Sequence, residues 1–165
     1  MRREIYFIQE GGGILLLLLS CTSPPSAPSE FSVLAEDIFG GSLLSAWTHQ
    51  GEVLLSGGQI GGTSGILAHY DGESLCIEKD VSDRSLWWIH GDGQEEWYAV
   101  GEEGRVLHQV DGQRIQENLP TDSTLFGVWM ESPDEIWVTG GKVQTEGTTG
   151  EIWHKHAGQW ELFAN

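Results

Sequence analysis

Between residues 43 and 163 the chain alternates apolar and polar positions in short runs, and most of these runs end at a glycine. The stretch from Glu95 to Val110, closed by Asp111 and Gly112, reads as a strand, a glycine turn and a second strand. Similar stretches flank it. Residues 52–57 lead through a glycine-rich insert to 65–72, and residues 135–140 lead to 150–158. Apolar runs of this length with period two predict strands, because a helix would repeat its apolar face every 3.6 residues.

The pattern predicts strands at 43–48, 52–56, 66–70 and 74–78, then 86–90, 96–100, 105–110 and 113–117, then 125–130, 135–139, 151–156 and 159–163. Gln50-Gly51, Asp71-Gly72, Asp92-Gly93 and Asp111-Gly112 mark turns, and Pro133 falls in another, where a missing amide donor costs little. Residues 31–39 leave a strand and a short helix equally open. Trp47, Trp88 and Trp129 recur at intervals of 41 residues, each ahead of a strand pair. A strand-type repeat with a period of about 40 is the signature of a radial all-β array. The expected fold is therefore all-β, a β-propeller of about three four-stranded blades in repeat units 43–79, 86–117 and 125–163. A β-sandwich cut from the same strands is the competing reading.

Composition agrees with this. A hydrophobic content of 39% in 165 residues supports one domain with a real core, and 23 glycines against five prolines suit many tight turns. Most of the eight tryptophans are expected as packing anchors.

The first twenty residues follow another rule. Arg2 and Arg3 precede a short apolar block at 14–19, too short to span a bilayer, and Ser20-Cys21 follows at once. This is the plan of an export signal. Leu18-Leu19-Ser20-Cys21 resembles the bacterial lipoprotein signal, which implies cleavage after Ser20, a lipid on Cys21 and an exported protein anchored at the cell envelope through that lipid. Residues 1–20 would be the signal, the Ser/Pro-rich 21–30 a tether, and 31–165 the folded part. An ordinary secretory peptide with a chance cysteine is the alternative.

The repeats resemble bacterial kelch-like β-propeller repeats. Gly57-Gly58 and Gly140-Gly141 match that family's glycine pair, and Trp153 followed by Trp160 matches its aromatic pair. The middle unit departs, with Val100-Gly101 and no Trp near Arg114, and the first has Leu75 where a Trp would stand. Membership would imply a binding or scaffolding role more often than an enzyme. Three units are fewer than a closed ring, so missing blades or self-association with other copies is expected.

A net charge of −17, which loss of residues 1–20 would leave unchanged, repels phosphate backbones and argues against a nucleic-acid partner. With Cys21 assigned to lipid, Cys76 stands alone, so no disulfide framework and no cysteine metal site is expected and Cys76 is expected as a small buried hydrophobe.

His49, His90 and Glu131 each stand two residues beyond a repeat tryptophan, and two imidazoles with a carboxylate can hold zinc. A polar rim of unconnected groups is the bland alternative. His108 and His154 share a repeat position and are expected to pack or hydrogen-bond across strands. Adjacent carboxylates at Glu95-Glu96 point to opposite faces of a strand and make a poor catalytic pair, while Glu102-Glu103 lie in a turn. Ser64 lacks a nucleophile elbow, and the glycine run 57–62 lacks a phosphate-loop lysine. No cofactor is expected. The inserts at 57–65 and 140–150 are the longest, which nominates Gln59, Thr63, Ser64, Lys142, Gln144 and Thr145 as binding-loop residues for a glycan or protein ligand. The functional expectation is a lipid-anchored binding or scaffolding module rather than an enzyme. A propeller-type glycosidase or lyase and a non-functional fragment of a longer propeller protein are the alternatives.

Overall fold

A computed structural model of the chain describes Val33, Glu36, Ile38 and residues 41–93, 96–142, 147 and 149–165. The expected signal at 1–20, Cys21, the expected tether at 21–30, most of the ambiguous stretch 31–39, and Gln144 and Thr145 lie outside the described residues.

Twelve strands make three four-stranded antiparallel sheets, each built from four strands taken in chain order. The first sheet contains β1 (Ser42–His49), β2 (Glu52–Gly58), β3 (Gly65–Tyr70) and β4 (Leu75–Lys79). The second contains β5 (Leu86–Gly91), β6 (Trp97–Gly101), β7 (Arg105–Val110) and β8 (Gln113–Asn118). The third contains β9 (Thr124–Ser132), β10 (Glu135–Lys142), β11 (Thr149–His156) and β12 (Gln159–Ala164). A 3₁₀ turn at Glu102–Gly104 is the only helical element among the described residues. Every predicted strand is present, with ends displaced by no more than three residues. Three sheets with like topology rule out the two-sheet sandwich.

Hairpin turns follow from residues that accept positive φ. Gln50-Gly51, Asp111-Gly112 and Ala157-Gly158 place both central residues there, which matches the twist of the strands they join. Asp71-Gly72 works differently. Only Gly72 has positive φ, and Asp71 Oδ1 accepts the backbone N–H groups of Glu73 at 2.9 Å and Ser74 at 2.7 Å.

The repeat has a structural register. In each sheet the first strand bulges after a leucine, and that leucine (Leu43, Leu86 or Leu125) faces a glycine on the second strand (Gly57, Gly101 or Gly140). A Cβ on Gly57 or Gly101 would fall 1.9 Å from the carbonyl oxygen of Ser42 or Ser85, and one on Gly140 would fall 2.7 Å from that of Thr124. The two strands approach so closely that no side chain fits between them.

This register corrects the tryptophan spacing. Trp47 pairs with Leu54, His90 with Tyr98 and Trp129 with Trp137, so the second-sheet equivalent of Trp47 and Trp129 is His90. Trp88 pairs with Val100, two residues earlier. Leu43, Leu86 and Leu125 stand 43 and 39 residues apart. The even 41-residue interval arises because an additional tryptophan occurs in the second sheet, offset from the common register.

The sheets pack face to face in chain order, with β5 between β1 and β9. Leu67, Leu86, Ile89, Trp97, Ala99 and Leu107 form the core between the first two sheets. Tyr98, Val100, Val106 and Leu119 meet Leu125, Val128, Met130, Ile136, Val138 and Trp153 between the second and third. Both faces of the middle sheet are covered, so every residue of β6 is buried and its apolar run does not alternate. Each fully buried side chain of this size contributes roughly 1.5–3 kcal/mol.

A polar lock recurs at both junctions. Arg114 donates to Glu78 of the first sheet at 2.9 Å. Lys155 and Trp160 donate to Glu117 of the second at 2.9 and 2.6 Å. Gln109 faces Arg114 in one hairpin as Lys155 faces Trp160 in the other, so corresponding positions provide the donors.

Candidate binding cleft

One feature of the repeat is a glutamate at or just before the start of the second strand and a histidine on the third. Glu52 with His69, Glu96 with His108 and Glu135 with His154 are 3.2, 2.7 and 2.6 Å apart. The residue across from each histidine is Leu54, Tyr98 or Trp137. Tyr98 stacks on His108 and Trp137 on His154, with ring planes within 10° of parallel. His108 and His154 thus have the cross-strand role expected of them, and His69 occupies the same position. His69 alone faces a leucine.

That difference opens a cleft. Where Tyr98 fills the junction of the second and third sheets, Leu54 leaves a space of about 700 Å³ between the first and second. Trp47, His49, Glu52, Leu54, His69 and Glu78 line it from the first sheet, and Trp97, Gln109 and Arg114 from the second. Trp47 is half-buried and lines the cleft from the first sheet, and the buried Trp97 lines it from the second. Arg114 lies over the Trp97 ring at 5.7 Å. Its guanidinium, hydrogen-bonded to Glu78, holds that carboxyl below the usual range and therefore ionised. His49 stacks on Trp47, and its Nε2 is buried with no hydrogen-bond partner among the described residues.

Glu131 and the two other predicted metal ligands do not converge. His90 is inserted between Trp47 and Trp129, with ring centroids 6.3 and 4.3 Å away, and its Nδ1 accepts the Met130 N–H at 3.2 Å. Burial holds its imidazole below the usual range, which keeps it neutral. His49 pairs with Glu52, and Glu131 lies in a bulge of β9. Among the described residues, the ligand atoms that gather within 4.8 Å of one another belong to Glu135, His154 and His156. These two histidines, acting through hydrogen bonds and nearby charge, hold the Glu135 carboxyl below its usual range.

Of the predicted loop residues, Ser64 and Lys142 use their side chains, and Gln59 its backbone carbonyl, to hold the loops. Ser64 donates to Asp80 at 2.8 Å, Lys142 pairs with Asp122, and the Gln59 carbonyl accepts the Gly62 N–H at 2.7 Å. Thr63 borders a second space of about 280 Å³ shared with Arg84, Glu102 and Asp122. Glu102 and Glu103 are engaged there: Glu102 accepts the Gly61 N–H and Glu103 pairs with Arg84. Cys76 is free and exposed, not buried, because β4 is an outer strand and its face is uncovered there. The cleft residues Leu54, Glu78 and Arg114 were not singled out from sequence. Aligning the three units on their glycines would have shown Leu54 as the odd member against Tyr98 and Trp137.

No helix among the described residues is long and apolar enough to cross a membrane. No family model matches the chain, and no curated protein or solved structure is significantly similar to it.

Proposed function

We propose that the three sheets are blades of a β-propeller and that the protein is a binding module, held at a bacterial cell envelope by a lipid on Cys21, whose ligand enters the cleft between the first two sheets. The cleft carries this reading. It combines an aromatic wall at Trp47 with ionised and hydrogen-bonding groups at Glu52, His69, Glu78 and Arg114. Flat apolar faces edged with hydroxyls, as in a glycan, suit that combination. The blade reading is supported by the common register of the three sheets and by β1, β5 and β9 lying side by side.

The Arg114 partner keeps Glu78 from serving as the general acid of a glycoside hydrolase, so hydrolysis in this cleft would need Glu52 in that role. The test is a glycan-array screen followed by titration of each hit. Trp47→Ala should weaken binding about 10-fold or more, the value of one aromatic contact. Failure to find a saturable ligand, or affinity unchanged in Trp47→Ala, would sink the reading. Cleavage of a bound glycan would replace it with the hydrolase.

A further inference from the structure

The Glu–His pair on its own is a structural feature, since it occurs in all three sheets. The third sheet adds something the others lack. Directly across from Glu135 stands His156, whereas Val110 follows His108 by the same two residues and Asp71 follows His69. His154 and His156 are two residues apart on β11 and point to one side of the sheet. Lys155 between them is buried against the second sheet, so the histidines lie on the face turned away from it.

We infer that Glu135, His154 and His156 form a binding site for a zinc-type divalent cation. His154 turns Nε2 and His156 turns Nδ1 to the Glu135 carboxylate, and the three residues bring ligand atoms within 4.8 Å of one another. Two imidazoles and a carboxylate are a common zinc donor set, and three protein ligands leave a fourth position for water or an incoming group. The surroundings orient the ligands. Trp137 lies flat on His154 with centroids 3.9 Å apart, which restricts the ring's rotation. The carboxylate of Glu161 lies 3.8 Å from the other nitrogen of His154, Nδ1. An ion held there would replace the direct contacts that His154 Nε2 and His156 Nδ1 make with the Glu135 carboxylate. The site is separate from the cleft, which the first two sheets line.

Equilibrium dialysis of the full chain against zinc chloride, with metal content read by atomic emission, tests this directly. The expected result is one zinc per chain and a raised melting temperature. His156→Val installs the residue found at this position in the second sheet, and together with Glu135→Gln it should weaken zinc binding by about 100-fold. His69→Ala, which breaks the corresponding pair in the first sheet, should leave zinc content unchanged. Circular dichroism of each variant checks that it is folded. Absence of stoichiometric zinc in the unaltered chain, or equal zinc in folded His156→Val, overturns the assignment.

Discussion

Tyr98 lies flat on His108, with ring centroids 4.0 Å apart and 10° between their planes. The stack closes one inter-sheet junction, and its loss at Leu54 and His69 opens the other. Leu54→Tyr should therefore lay a ring on His69 and fill much of the cleft. The expected outcome is a melting temperature raised by a few degrees, corresponding to about 1 kcal/mol for an added stacked pair, with ligand binding lost. Differential scanning calorimetry and the glycan titration measure the two effects separately.

The junction of the second and third sheets should be sensitive to acid. The His108 ring beside Glu117, then the Trp160 and Lys155 donors, hold that carboxyl down to about 2. A carboxyl depressed in the folded state contributes stability above its ordinary pKa of about 4.5, and that contribution fades as pH falls toward about 2. Unfolding free energy from urea titrations should fall by up to roughly 3 kcal/mol over that window. In Glu117→Gln this part of the pH dependence should be absent.

Lys155 is buried between Tyr98 and Trp160, with its ammonium 5.3 and 5.4 Å from their ring centroids and hydrogen-bonded to Glu117. Lys155→Met keeps the packing and leaves Glu117 without its cation. A loss of about 3 kcal/mol in chemical denaturation is expected, because the partner charge stays partly buried. Arg114→Met at the other junction should cost less, about 1 kcal/mol, since Glu78 is more exposed than Glu117.

Gly101→Ala should be among the most damaging small substitutions. Its Cβ would enter the Ser85 carbonyl, and separating β5 from β6 to make room disturbs both core layers. A destabilisation of about 3 kcal/mol or more is expected. Gly112→Ala has open space around it and only an unfavourable φ, so about 1 kcal/mol is expected there.

Cys76 is free and exposed, so it should be labelled by a thiol reagent in the folded protein without prior unfolding, as judged by mass spectrometry of the labelled peptide. Protection of Cys76 in native buffer would show that this face of β4 is covered in solution.

Strand number, strand order within each hairpin and the all-β class were legible in the chain, because period-two alternation and turn residues are local properties. The glycines at 57, 101 and 140 were legible as punctuation, while their reason, the approach of a carbonyl on the neighbouring strand, was not. Equal spacing of Trp47, Trp88 and Trp129 misled because sequence distance counts loop residues, whereas register counts only paired ones. The trio built on that spacing failed to converge for the same reason.

Local alternation and turn chemistry by themselves determined that this chain makes three like sheets, each from four successive strands. Which residues meet across those sheets was decided only in three dimensions. Whether Leu54 opens a cleft, whether Lys155 is buried on Glu117, and whether His156 joins Glu135 all depend on side chains brought together by strand register and sheet packing. Neither can be counted along the sequence.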